Sequence, residues 1–186
     1  MDFEYWLFTG LVLVTVFGSI ANVVRFGVQR QKVRQALEAY CASRHYDLHK
    51  GSFIAMDTIE ARVEGIDVHI SVELSVVAFY GGADTVGFAS FTKPFWPEEF
   101  SIGVIAGSTE FDPHNITKPW LESLLDDPEV RRQLEELFRA YSTTWINSTG
   151  ITVRVKGIPA TDAEFDRMIL TVTKTAALME ETAQRI

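Results

Sequence analysis

Nineteen consecutive uncharged residues, Trp6 to Val24, constrain this chain more than any other feature. As a helix rising about 1.5 Å per residue they extend about 28 Å, close to the ~30 Å hydrocarbon thickness of a bilayer. The only polar side chains in the run are Thr9, Thr15, Ser19 and Asn22. Hydroxyls can bond back to the preceding turn and so cost little in lipid. Tyr5 and Trp6 stand where an interfacial aromatic belt would lie. A cleaved signal peptide would open on bases and carry a shorter apolar stretch, and Ser19-Ile20-Ala21 is a poor cleavage site. A core helix of a soluble protein seldom runs this far without a charge. The pattern predicts a single spanning helix.

Direction follows from the flanks. Asp2 and Glu4 precede the run, and Arg25, Arg30, Lys32 and Arg34 follow it. The positive-inside rule puts the short N-terminus outside and the larger C-terminal part at the cytoplasmic surface of the cell (inner) membrane. Gly10, Val14, Gly18 and Asn22 recur every four residues and share one helical face. Small residues with an amide on one stripe suit close approach of another transmembrane helix, from a different membrane protein or a second copy.

The expected division is a tail and spanning helix over 1–27, with the span at about 6–24, and a soluble domain over 28–186. About 160 residues suffice for one domain with its own core. The formal net charge of -8 argues against nucleic acid, whose phosphates demand a basic face. The lone Cys41 cannot form an internal disulfide, which suits a reducing compartment. Asn115 and Asn147 head glycosylation-type tripeptides, a pattern without meaning on the cytoplasmic side.

Beyond the membrane the helix is expected to continue to about Arg44–Tyr46, with Gly27 as a point of bending. Val33, Ala36, Leu37, Tyr40 and Cys41 lie at the spacing of one buried face. Lys50-Gly51-Ser52 reads as loop. Thr58 to Val63, the turn Glu64-Gly65, and Ile66 to Leu74 form the clearest hairpin. In its second strand Ile66, Val68, Ile70, Val72 and Leu74 alternate with Asp67, His69, Ser71 and Glu73, giving one dry and one wet face. A short strand over Val76–Tyr80, a turn at Gly81–Asp84, and strands over Thr85–Thr92 and Phe100–Ala106 follow. Pro119 to Tyr141 is helical, with Asp127-Pro128-Glu129 as a start signal. Strands over Thr143–Ile146 and Ile151–Lys156 precede a closing helix opened by Thr161-Asp162-Ala163-Glu164. The expected fold is α+β: a two-layer domain with an antiparallel sheet of about six strands and helices packed on one face.

Chemical motifs are scarce. The chain has no phosphate-binding glycine loop, no GxSxG, no CxxC and no HExxH. Cys41, His45 and His49 recur every four residues and would line one face of a continuous helix, but Cys41 belongs to the buried stripe and the helix should stop before His49. Asp112 and His114 sit in one loop without a visible third group. These features call for no cofactor, no metal and no catalytic residue. Phe91, Phe95, Trp96 and Phe100, interrupted by two prolines, make the most aromatic segment of the domain; closing the core is its first expected use, and an exposed patch toward the membrane or a partner is the other. The functional expectation is a membrane-anchored, non-catalytic accessory or scaffold subunit acting through protein contacts. The alternative is a tethered binding or sensor domain in which Phe88, Phe91, Phe95 and Trp96 form the interaction patch or line the site of a small apolar ligand.

Overall fold

The computed structural model describes residues 3–52, 56–77, 80–92, 96, 99–104, 118–141 and 143–186. One unbroken helix, α1 (Phe3–Arg44), carries both the apolar run and the stripe beyond it. Seven strands follow: β1 (Asp47–His49), β2 (Thr58–Val63), β3 (Ile66–Val77), β4 (Tyr80–Ser90), β5 (Ser101–Val104), β6 (Thr143–Asn147) and β7 (Gly150–Lys156). Helices α2 (Pro119–Asp126) and α3 (Pro128–Ala140) lie between β5 and β6, and α4 (Asp162–Ala183) closes the domain. All pairings are antiparallel, in the order β1-β2-β3-β4-β7-β6-β5. The chain therefore leaves β4 in mid-sheet, starts again at the far edge, and fills the gap with β7.

Local chemistry accounts for most of these elements. Glu64 (φ 52) and Gly65 (φ 87) both take left-handed backbone, the two-residue turn that suits the twist of a hairpin. The register Val63↔Ile66 then propagates to Glu60↔His69 and Thr58↔Ser71. At α3, the Asp127 carboxylate accepts from the Glu129 and Val130 N–H groups at 2.9 and 3.1 Å, and Pro128 occupies the first turn. The start of α4 is different. The Thr161 hydroxyl makes no cap bond, while Glu164 reaches back to the Ala160 N–H at 2.7 Å.

The sheet departs from expectation in two places. Gly81 to Asp84 is ladder and not turn: these residues pair with Val76, Ser75, Leu74 and Glu73, so the expected short strand at 76–80 is absorbed into the ends of β3 and β4. Glycines in a strand mimic a turn signal, and only the partner strand resolves which applies. The second departure is β1, whose three residues are too few to show a period; it pairs Leu48↔Ile59 and raises the strand total among the described residues to seven.

The core lies between the sheet and the helices. Ile66, Val68, Ile70 and Val72 are buried, as are Ile151 and Val153 of β7 and Phe165, Met168, Ile169, Val172, Ala176 and Met179 of α4. A Cβ on Gly87 would sit 2.7 Å from Met168 Sδ, so the bare glycine sets how closely α4 approaches β4. A Cβ on Gly150 would run into the Ala89 carbonyl and lie 2.8 Å from the Phe88 ring, which explains glycine at the first position of β7.

The C-terminal part of α1 belongs to this core. Val33, Leu37, Tyr40 and Cys41 are 4%, 0%, 0% and 6% exposed. Tyr40 donates to Asp166 Oδ1 at 2.8 Å, Arg44 pairs with the same carboxylate, and Ser43 bonds Asp162 at 3.0 Å, which ties α1 to α4. Upstream, α1 is one helix long and apolar enough to cross a membrane. Thr15 and Ser19 bond back to the Leu11 and Thr15 carbonyls at 2.8 Å each, as lipid would require.

Candidate interaction surface

The strand period of two gives the sheet a second face, on which, among the described residues, no helix packs. One row of paired residues crosses it: Asp47, Glu60, His69, Phe88, Thr152, Trp145. Its character changes along the row. On the β1–β3 side, His49 Nε2 lies 3.0 Å from Glu60 Oε2, His69 Nδ1 lies 3.6 Å from Glu60 Oε1, and Arg62 meets Asp67 at 3.6 Å. In the middle, Arg154 bridges Glu73 at 2.8 Å and Asp84 at 3.4 Å. Toward β6 the row is uncharged: Phe88 half-buried beside His69, then Thr152, then Trp145 with 48% of its surface in solvent. An exposed indole in an uncharged strip, rimmed by ion pairs, has the composition of a protein-contact patch.

The two imidazoles on Glu60 do not make a reactive centre. All three side chains are about half exposed on an open sheet, without a cleft to exclude water or to raise the strength of a charge pair. Among the described residues no three His, Cys, Asp or Glu groups converge to hold a metal ion. The Cys41–His45–His49 spacing fails as a ligand stripe for the reason its helix suggests. Arg44 is the last helical residue, His45 (φ 58) turns the chain away, and His49 leaves on β1 toward Glu60. Cys41 stays buried. Asp112 and His114 lie outside the described residues.

The aromatic stretch is split. Phe91 is buried, and Trp96 fits edge-on between Phe91 and Phe100 with ring centroids 5.0 Å from each. Trp120 of α2 completes the set, 5.7 Å from Trp96 and 5.3 Å from Phe100. These rings close one end of the core. Phe88 sits on the opposite side of the sheet, so it does not share a lining with Phe91 and Trp96; Phe95 lies outside the described residues. On the apolar part of α1, Gly10 and Gly18 have no atom within 4 Å of a built Cβ among the described residues, and Val14 is 72% exposed. Asn22 follows on the same stripe, half-exposed.

Sequence reasoning missed Trp145 as the exposed indole of the open face and Glu60 as the bridge between His49 and His69. The second was partly legible, because a two-residue turn at Glu64-Gly65 already places Glu60 opposite His69. Nothing in the three residues of β1 announces that His49 joins them.

A second charged cluster ties the sheet to the helix where it leaves the apolar run. Arg34 forks onto Asp57, Nε to Oδ2 at 2.9 Å and a terminal nitrogen to Oδ1 at 2.7 Å, and the Gly51 N–H donates to the same Oδ1 at 2.8 Å. Asp57 is 5% exposed, and the Arg34 guanidinium holds its carboxyl below the usual carboxylate range, aided by Gly51. The chain matches no protein-family model, no curated protein and no solved structure.

Proposed function

We propose that this protein is a single-pass, membrane-anchored, non-catalytic scaffold or accessory subunit. Its domain stands at the cytoplasmic face of the cell membrane and holds a partner protein on the open side of its sheet. The observation that carries this reading is Trp145, 48% exposed at the β6 end of an uncharged strip on the one sheet face that bears no helix among the described residues. The helix order supports it too. With α1 packed into the core from Val33 onward, the domain cannot swing away from the bilayer as if on a linker. The acids before the apolar run and the bases after it support an outside N-terminus. Gly10, Val14, Gly18 and Asn22 offer a second contact, for the membrane helix of the partner or of another copy.

The test is site-specific photocrosslinking in intact membranes, with the photoreactive residue at Trp145 and, as control, at Glu181 on the far side of α4. The reading expects a discrete crosslinked band from position 145 alone, and copurification of that partner after gentle detergent extraction. A chain that crosslinks to nothing from either position and migrates alone as a monomer would remove the proposal. Topology is read separately, by labelling cysteines placed at residue 2 and residue 185 with an impermeant maleimide: only the first should react in intact cells.

A further inference from the structure

The segment from Tyr46 through β1 to Ser52 climbs back along α1 toward the membrane. Tyr46 N–H bonds the Cys41 carbonyl at 3.1 Å, Lys50 pairs with Glu38 at 2.6 Å, the Gly51 carbonyl accepts from Arg34 and Arg30 at 3.2 Å each, and the Ser52 carbonyl accepts from Arg30. From Cys41 to Arg30 this ascent covers about 16 Å of helix. At its top, Gly27, Arg30, Gln31 and Arg34 of α1 and Gly51 and Ser52 of the loop line an open cavity of about 350 Å³. That lies at the lower end of small-ligand sites, which run roughly 300–1,000 Å³.

Position and charge identify what such a cavity suits. Gly27 lies about 4.5 Å and Arg30 about 9 Å beyond Val24, where the apolar run ends. The headgroup layer on each side of the hydrocarbon is about 5–8 Å deep, so Gly27 lies within it, while Arg30, and Arg34 about 15 Å beyond Val24, lie deeper on the domain side. Two guanidiniums face one carboxylate, Asp57, at 2.7 Å from Arg34 and 3.8 Å from Arg30, which leaves the cluster one positive charge in excess. The Arg30 side chain is only 15% exposed, so its position is set before any ligand arrives. Guanidinium is the side chain best shaped to fork onto phosphate oxygens.

We propose that this cavity binds the phosphate of an anionic phospholipid headgroup from the leaflet next to the domain. It is an individual lipid site, beyond general attraction of basic residues to a charged surface. Bound there, the lipid bridges α1 and the β1–β2 loop and fixes the tilt of the sheet against the bilayer. The proposal rests on the spanning role of α1.

The experiment uses the full chain in detergent micelles, titrated with phosphatidylglycerol or phosphatidylcholine and read by native mass spectrometry. Phosphatidylglycerol should be retained at least about fivefold more tightly, the scale of one basic group at a lipid surface. Arg30→Gln should abolish that preference and Arg30→Lys should keep part of it. Arg25→Gln, equal in charge change but outside the cavity, should leave most of it. Gly27→Leu blocks the cavity without altering charge. A Cβ there meets nothing within 4 Å, so the fold tolerates it, and the preference should vanish as in Arg30→Gln. Equal losses in Arg25→Gln and Arg30→Gln, an unaffected Gly27→Leu, or no lipid preference would each overturn the proposal. Displacement of the lipid by millimolar inorganic phosphate would overturn the lipid as the source. A carbonate wash of membranes separates the two failures: release of the chain breaks the anchor itself, whereas retention without lipid preference breaks only this site.

Discussion

The two ends of α1 are one continuous helix with two different surfaces. At the N-terminal end Phe8, Leu11, Val14 and Phe17 are 66%, 63%, 72% and 67% exposed, while at the C-terminal end Leu37 and Tyr40 are fully buried. Both ends are rich in apolar residues. What separates them is distribution around the axis: apolar on all sides from Trp6 to Val24, apolar on one stripe from Val33 to Cys41. A helix apolar all round has no wet face to offer water, a surface that suits lipid or other membrane helices as neighbours. A striped helix needs only one partner surface, and here β3, β1 and α4 provide it. The comparison teaches that helix continuity does not imply one pattern of exposure, and that the change of residue distribution around the axis marks where packing into the core begins.

The comparison breaks most severely if charge enters the first half. Leu11→Lys with Val16→Lys should cost on the order of 5–7 kcal/mol of insertion free energy, and most of the chain should leave the carbonate-resistant membrane fraction. The same assay should not register Leu37→Ala, which acts on the second half. That change opens a cavity under a fully buried side chain and should lower domain stability by about 2–5 kcal/mol, read by thermal unfolding. A chain that loses both properties in either variant would mean that the halves are not separable.

Smaller effects lie at the join. Asp57→Asn keeps the shape but removes the charge that Arg34 and the Gly51 N–H address, and should cost about 1–3 kcal/mol with membrane association intact. The pH dependence has a definite sign. Asp57 and Asp166 are both held below the ordinary carboxylate range, chiefly by hydrogen bonds from Arg34 and Arg44. Below about 3.9 the unfolded chain therefore binds more protons than the folded one, and stability rises with pH in that window. Both contributions are complete at neutral pH and disappear as pH falls through the depressed native values. Unfolding midpoints of the wild type and Asp57→Asn should converge in acid and separate above it. Smallest of all, Trp145→Ala on the open face should change stability by no more than about 0.5 kcal/mol, because nearly half of the ring is in water already. Its effect belongs to partner capture, and a large loss of stability would place the indole in the core instead.

Some of this was legible without coordinates. The hairpin over Thr58–Leu74 was, because alternation and a two-residue turn are local signals that agree. So was the start of α3, where one carboxylate caps one helix. Gly81 and Gly82 misled, since a glycine is permitted equally in a turn and in a ladder, and the deciding hydrogen bonds come from β3. The aromatic stretch was half legible: its abundance foretold burial, but Phe88 and Phe91 part company because the sheet lies between them.

The sequence by itself determined the apolar helix, the basic flank, the antiparallel α+β plan and the absence of familiar catalytic spacing, because each depends on residues near one another along the chain. Only the tertiary structure decided that β7 inserts beside β4, that His49 and His69 meet at Glu60, that Trp145 stands on the uncovered face, and that Arg30 and Arg34 wall a cavity with Gly51 and Ser52. Those juxtapositions join residues far apart along the chain. They are set by which surfaces must be buried together, and no local pattern records that.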